Sequence, residues 1–314
     1  MSASNGEPPS LPAIEVRGLR KSYGAVEAVR GIDLSVSRGE VFALLGPNGA
    51  GKTTTVEILE GHRDRTGGDV SVLGHDPGLN DRAFKQRIGI VLQSTGVEPY
   101  LNVEETIDLF RGYYPHPLPL GEILDVIGLR EQRCTRVRRL SGGQQRRLDV
   151  AIGLAGHPEL LFLDEPTTGL DPAARRGAWD MVNSLRSLGK TVVLTTHYMD
   201  EAERLADRVA IIVEGEIVAE GTPGELVRRE GSTIIRFKAR PGADSPPEGL
   251  GAEPAGEVGR YTITTGTPTH SLLQLTGWAV ERGVELEELS VSTSTLEDVF
   301  IELVGATERD GMEE

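Results

Sequence analysis

The sequence predicts an α/β protein: a mixed sheet core between helices, an antiparallel β portion, and a smaller α+β unit at the carboxyl end. Three observations predict it. Four short runs, 41–45 (VFALL), 88–92 (IGIVL), 160–163 (LLFL) and 191–196 (TVVLTT), are apolar on both faces, as strands buried in a parallel sheet are. An earlier run, 31–37 (GIDLSVS), puts Ile32, Leu34 and Val36 on one face and polar residues on the other, the alternation of an antiparallel strand with one wet face. Beyond residue 230 the pattern changes to strand, Pro- and Gly-dense loop (239–260), strand, helix, strand, helix.

The four buried runs share a second feature. Each is followed at once by residues suited to phosphate chemistry: a glycine loop, then Gln93, then Asp164-Glu165, then His197. Open α/β sheets bind ligands beyond the carboxyl ends of their strands, so these four strands deliver four sets of groups to one edge.

Composition narrows the class. With 314 residues the chain exceeds one small domain, and a domain of roughly 220 residues buries about 70% of its unfolded surface without a disulfide or metal staple. The single cysteine, Cys134, stands among arginines and reads as a surface thiol in a reducing compartment. A net charge of −15 argues against nucleic acid as a partner. No apolar run approaches the roughly 18–20 residues that span a bilayer, and the opening MSASNGEPPSLP is not a secretory signal. The expected location is cytosolic, with any membrane work done through a partner. Residues 1–12 and the acidic tail 307–314 are expected to be disordered.

The glycine loop matches G-x-x-x-x-G-K-[ST] through Gly46, Gly51, Lys52 and Thr53, after a strand and before a helix that stops at Gly61. Across Gly46, Pro47, Asn48, Gly49, Ala50, Gly51, Lys52, Thr53 and Thr54 the glycines let the backbone come close to phosphates, and the helix start supplies positive potential. Lys52 reaches the β and γ phosphates, the Thr53 hydroxyl ligates Mg²⁺, Asp164 holds the Mg²⁺ shell, and Glu165 accepts a proton from attacking water.

Residues 140–150, LSGGQQRRLDV, predict a second helix start. Ser141 caps it, with Gln144 placed for a capping box, and Leu148, Ala151, Ile152 and Ala155 form an apolar stripe closed by Gly156 and Pro158. Two glycines in the first turn cost helix propensity, yet Gly142 and Gly143 leave the first N–H groups bare for an anion. Since the chain already has one complete cradle, this second anion site invites the γ-phosphate held by another molecule. Asn102 and Glu105 suit a further helix start, with Val103, Ile107, Phe110 and Tyr114 as its stripe. Tyr100, Tyr113 and Tyr114 stand open between core packing and a surface that faces a partner.

These motifs resemble the ATP-binding-cassette (ABC) ATPases, LSGGQ above all, over residues 13–230. The resemblance implies a P-loop ABC ATPase nucleotide-binding domain, with a helical subdomain at about 94–158, followed by a C-terminal accessory domain at 231–306. It further implies ATP and Mg²⁺ as cofactors and two copies facing head to tail, each ATP lying between the cradle of one and Ser141, Gly142, Gly143 and Gln144 of the other. Tyr23 resembles the aromatic that stacks on adenine, and Gln93 the residue that ligates Mg²⁺, senses the attacking water and signals to a membrane partner. Asp171 resembles the residue that speaks across the dimer, and His197 the switch that contacts the γ-phosphate. Read alone, Tyr23 is more often a packing aromatic of a hairpin, and His197 more often a satisfied core histidine.

The closing stretch 294–305, STLEDVFIELVG, is an amphipathic helix with Leu296, Val299, Phe300 and Leu303 inward. It also resembles the daunorubicin/doxorubicin resistance branch, which implies an ATPase subunit of an exporter with a separate permease of the ABC-2 type. The rival is a soluble cassette protein acting on nucleic acid or ribosomes. Only 89 positions separate Lys52 from Ser141, with no sustained heptad and one cassette in the chain, which disfavours it. A GTPase would need an N-K-x-D base reader, which is missing.

Overall fold

The computed structural model describes residues 11–79, 81–92, 96–229, 233–240, 246–255, 258–293, 295–301 and 303. Gln93, most of the amino-terminal segment and the acidic tail lie outside the described residues. The chain divides into two compact units, Met1–Pro223 and Gly224–Glu314. In chain order the first runs β1 (Ile14–Tyr23), β2 (Val26–Val36), β3 (Val41–Leu45), α1 (Lys52–Leu59), β4 (Gly67–Val72), α2 (Arg82–Arg87), β5 (Ile88–Val91), α3 (Val103–Arg111), α4 (Leu120–Ile127), α5 (Gly142–Leu154), β6 (Leu160–Asp164), α6 (Pro172–Ser187), β7 (Thr191–Thr196), α7 (Met199–Leu205), β8 (Arg208–Val213) and β9 (Glu216–Gly221). Helix α8 (Pro223–Arg229) spans the divide, and β10 (Thr233–Ala239), β11 (Ala252–Pro254), β12 (Arg260–Thr265), α9 (Pro268–Arg282) and β13 (Leu286–Thr293) follow.

The main sheet is six-stranded, in the order β5-β6-β7-β3-β8-β9. The four apolar runs are four of its strands, paired in parallel, with β3 central between β7 and β8. All five residues of β3 and all six of β7 are buried, as strands covered on both faces must be. Two strands went beyond the expected four: β8 continues the parallel set and β9 closes the edge antiparallel. The antiparallel portion is a three-stranded sheet, β2-β1-β4, in which Ile32, Leu34 and Val36 are buried and Asp33 and Ser35 exposed. Both sheets feed one core, where Phe42, Leu44, Phe162 and Val193 meet Ile14, Leu19 and Val36.

The helices show why their sequences end where they do. Asn102 and Glu105 close a capping box on α3, burying Val103 and Ile107, while Tyr114 falls past the helix and lays its ring over Gly156, where a Cβ would meet it at 2.4 Å. Tyr114 is therefore packing, whereas Tyr100 and Tyr113 are 65% and 70% exposed. Helix α5 buries more than one stripe, because Val150, Gly153 and Leu154 are covered as well as Leu148 and Ala151. It presses onto β5 so closely that a Cβ on Gly89 would lie 2.3 Å from the Gly153 carbonyl oxygen. At the other end of these strands, Arg87 and Arg38 converge on Glu159 and hold its carboxyl down to about 2.

The second unit is a four-stranded antiparallel sheet, β11-β12-β10-β13, with Ile235, Phe237, Ile263 and Leu275 of α9 as its core. The loop expected at 239–260 contains the short strand β11. Residues 296–301 are helical, with Leu296 and Val299 buried and Phe300 half-buried.

Gly89→Ala is expected to overpack the α5–β5 contact and to lower stability by about 1–3 kcal/mol, read from the urea midpoint.

Candidate functional site

The phosphate loop fills the turn from β3 to α1. Gly51 caps α1 at φ 103°, a left-handed conformation that only glycine adopts cheaply, and a Cβ there would lie 2.5 Å from the Ala28 carbonyl oxygen. A Cβ on Gly46 would lie 2.3 Å from the Ile212 carbonyl oxygen, so the loop is seated against β8 with no room for a side chain. Its rim is open: Asn48, Gly49 and Thr53 are exposed, Pro47 and Thr54 are half-buried, and Ala50 is buried. The Gly46 N–H meets the Thr196 carbonyl at 3.4 Å and the Gly215 N–H donates to Ala50 O at 3.0 Å, which ties the loop to β7 and to the β8–β9 turn.

Lys52 is 5% exposed, and its ammonium donates to Gly46 O at 2.8 Å and Pro47 O at 2.9 Å. Burial pulls its pKa down, and Glu165 and Asp164 oppose that pull. The lysine thus lies folded over its own loop, with two carboxylates near, and no acidic residue occupies the first turn of α1. That helix end keeps its positive potential for a ligand.

The ends of β6 and β7 are tied together through one hydroxyl. Thr195 Oγ1 donates to Asp164 Oδ1 at 2.6 Å and accepts from the Glu165 N–H at 3.0 Å. Glu165 itself sits at φ 44°, a left-handed conformation that is strained for a side chain of this kind. Its carboxylate is positioned from two sides: Thr168 Oγ1 donates to Oε2 at 3.0 Å, and His197 Nδ1 lies 3.2 Å from Oε1. The structure therefore brings Lys52, Asp164, Glu165 and His197 to one edge, as the strand ends required.

A residue absent from the sequence reading anchors this edge. Arg146 of α5 is 7% exposed and donates to Leu92 O beyond β5, to Asp164 O at 2.8 Å and to Pro166 O at 3.0 Å. Burial lowers its pKa, while Asp149 and Asp164 hold it up. Its signal lay in spacing: Arg146 stands four and seven residues before the buried Val150 and Gly153, a charge on an apolar stripe.

Ser141 caps α5 through the expected box, with Ser141 N–H to Gln144 Oε1 at 2.9 Å and Gln144 N–H to Ser141 Oγ at 3.3 Å. The first N–H groups of a helix have no intrahelical acceptor, which leaves those of Gly142 and Gly143 for a ligand. A Cβ on Gly142 would meet nothing within 4 Å, and one on Gly143 would lie 2.9 Å from Ala174 Cβ at the start of α6. Asp171 caps that helix, accepting from Ala173 and Ala174 N–H at 2.9 and 2.8 Å. The Ser141 turn and the Asp171 turn are therefore neighbours, and Ser141, Gly142 and Asp171 are exposed. Tyr23, at the end of β1, is 42% exposed, with Lys21 and Arg63 cations 5.0 and 5.3 Å from its ring centre. It is a surface aromatic in a cationic setting rather than a core residue.

The donor set fits a nucleotide triphosphate with Mg²⁺. Mg²⁺ takes one or two carboxylates and completes its shell with phosphate, hydroxyl and water oxygens, and Asp164 and Thr53 offer one carboxylate and one hydroxyl. The loop amides and the Lys52 ammonium supply the positive lining that phosphates need.

Residues 29–168 match the family described as ABC transporter, and residues 233–295 match an ABC transporter domain-containing protein-like C-terminal domain. The chain is 38% identical over 307 residues to the daunorubicin/doxorubicin resistance ATP-binding protein DrrA of Streptomyces peucetius, covering 93% of this chain and 92% of that protein. It is 43% identical over 227 residues to the Nod factor export ATP-binding protein I of Ralstonia nicotianae, covering 70% of each. A solved dimeric ATP-binding cassette in a post-hydrolysis state, bound to ADP and Pi, superposes with a TM-score of 0.59 at 25% identity, covering 67% of this chain and 98% of that one. The chain belongs to the ABC transporter family, as an ATP-binding subunit with ATPase activity. Cassettes of this family dimerise and act with a membrane-embedded partner. Among the described residues, no helix is long and apolar enough to cross a membrane.

Glu60, the residue that follows α1, is 3% exposed, and burial together with Asp164 and Glu57 pushes its carboxyl up to about 8. The folded chain thus keeps a proton that the unfolded chain releases above an ordinary pKa of about 4.3, so stability falls as pH rises between those values. The wild-type urea midpoint is expected to drop from about pH 5 to about pH 8, and Glu60→Gln to flatten that drop.

Proposed function

We propose that this chain is the energy-coupling subunit of an exporter, moving a drug or antibiotic through a separate permease of the ABC-2 type. It works at the cytoplasmic face of the cell membrane as a peripheral subunit. The observation that carries this reading is a division of parts. One chain has a complete phosphate cradle at 46–54 and, at the start of α5, a second exposed positive helix end built from Ser141, Gly142 and Gly143. Two copies placed head to tail give each cradle the other's Ser141 turn, with Gln144 holding the cap and Asp171 beside it. The names of the two relatives, one of drug resistance and one of Nod factor export, support the direction and the cargo class.

In the closed pair, Tyr23 stacks on adenine and the loop from Gly46 to Thr54 wraps the phosphates. Lys52 swings from its two loop carbonyls to the β and γ phosphates. Thr53, Gln93 and Asp164 would hold Mg²⁺, which supplies neutralisation of charge on the transferred phosphoryl group. Glu165 accepts a proton from water, its carboxylate aimed by Thr168 and His197. His197 contacts the γ-phosphate, and Gln93 carries the change toward the permease.

Glu165→Gln is expected to bind ATP, to lose about 10²–10⁴-fold in turnover, and to run as a dimer on gel filtration with ATP and Mg²⁺. A monomer with wild-type turnover would remove Glu165 from its role. Ser141→Arg is expected to abolish turnover while one chain still binds ATP, measured by nucleotide titration; hydrolysis at the wild-type rate would remove the shared site.

A further inference from the structure

Glu201, on α7 four residues past His197, is fully buried, and neither of its carboxylate oxygens has a hydrogen-bond partner among the described residues. Three donors face it: the Thr167 and Thr196 hydroxyls and the Trp179 indole N–H, close enough to pull its pKa down against the burial that raises it. Thr167 Oγ1 and Trp179 Nε1 are likewise buried without a hydrogen-bond partner among the described residues. Thr196 Oγ1 accepts from the Tyr198 N–H at 2.9 Å, which leaves its own proton to give. A buried carboxylate beside two unpartnered donors and a third hydroxyl with a proton to give is an unfinished network, because each group left unpaired away from water is costly.

The donors come from segments that carry the site. Thr167 lies two residues after Glu165, Thr196 directly precedes His197, and Trp179 belongs to α6, whose cap is Asp171. Glu165 and His197 already meet at 3.2 Å. We propose that Glu201 is a positioning residue for ATP hydrolysis: on closure around nucleotide it accepts hydrogen bonds from Thr167, Thr196 and Trp179, and so sets Glu165, His197 and the Asp171 turn in one register. The inference rests on the head-to-tail closure proposed above. The carboxylate touches no reacting atom, and its effect passes through the backbone of the three segments that bear the working residues.

The test uses the full chain with Trp278→Phe, which leaves Trp179 as the one tryptophan, and with Glu165→Gln to trap the closed pair. Addition of ATP and Mg²⁺ is expected to give a dimer on gel filtration together with a change in Trp179 emission, as its N–H gains a carboxylate partner. Glu201→Leu in the same background is expected to keep the dimer and lose the emission change. With Glu165 intact, Glu201→Leu is expected to lower kcat at least about tenfold with KM held within about threefold, and Glu201→Gln, whose amide oxygen still accepts, to recover most of it. Should Glu201→Leu fail to fold, Thr167→Val and Trp179→Phe remove one donor each and are expected to lower kcat by about two- to fivefold with an unchanged Tm. A dimer that forms with no change in Trp179 emission overturns this inference alone. Absence of any dimer overturns the closure reading and this inference with it. Wild-type kcat in both Thr167→Val and Trp179→Phe overturns it as well.

Discussion

The parallel alignment of the buried strands is the constraint on which everything else depends. Backbone pairing sets Leu45 opposite Thr196 and Asp164 opposite Thr195, so the carboxyl ends of β3, β6 and β7 are level within a residue. Strands covered on both faces carry no charged side chain along their buried length, and the first residues free to carry a charge are those at or just past their carboxyl ends. A level edge therefore gathers the charged groups of several strands in one place. The same rigidity sustains conformations that a looser scaffold would relax, such as Glu165 at φ 44° and Gly51 at φ 103°.

Buried charges organise that edge. Arg146 donates to carbonyls beyond β5 and at the end of β6, where charge-assisted hydrogen bonds are roughly twice as strong as neutral ones. It belongs to the helix whose first turn is Ser141-Gly142-Gly143, so that turn and the carboxyl ends of β5 and β6 are joined by one side chain. Lys52 is held by two loop carbonyls, Glu60 is kept neutral by its burial and its acidic neighbours, and Glu201 lies buried beside Thr167, Thr196 and Trp179. A chain with net charge −15 thus presents a locally positive cradle, because fixed amides and one ammonium act at contact range while surface acids are screened.

The second unit follows different rules. Its antiparallel sheet keeps one face on α9 around Phe237 and Tyr261, whose rings stack at 5.5 Å, and leaves Leu289 and Val291 of β13 exposed. Its core is far smaller than that of the first unit, and it is built from alternating strands that each show a wet face.

Local pattern alone determined the strands at 41–45, 88–92, 160–163 and 191–196, the capping boxes at Asn102 and Ser141, and the glycine loop, because burial on two faces, helix starts and left-handed turns each demand particular residues within a few positions. Strands β8 and β9 and the short β11 escaped that reading, since nearby residues alone do not say which sheet edge is open to receive another strand. Tyr114 passed for a helical residue because periodicity continued past the turn that ends α3. Only the tertiary structure decided that Arg146 reaches Leu92 and Asp164, that Thr195 bridges Asp164 and Glu165, and that Glu201 lies among Thr167, Thr196 and Trp179. Most of those contacts join residues 18 to 54 positions apart, and no local periodicity carries the distance between elements that meet only when the sheet is assembled.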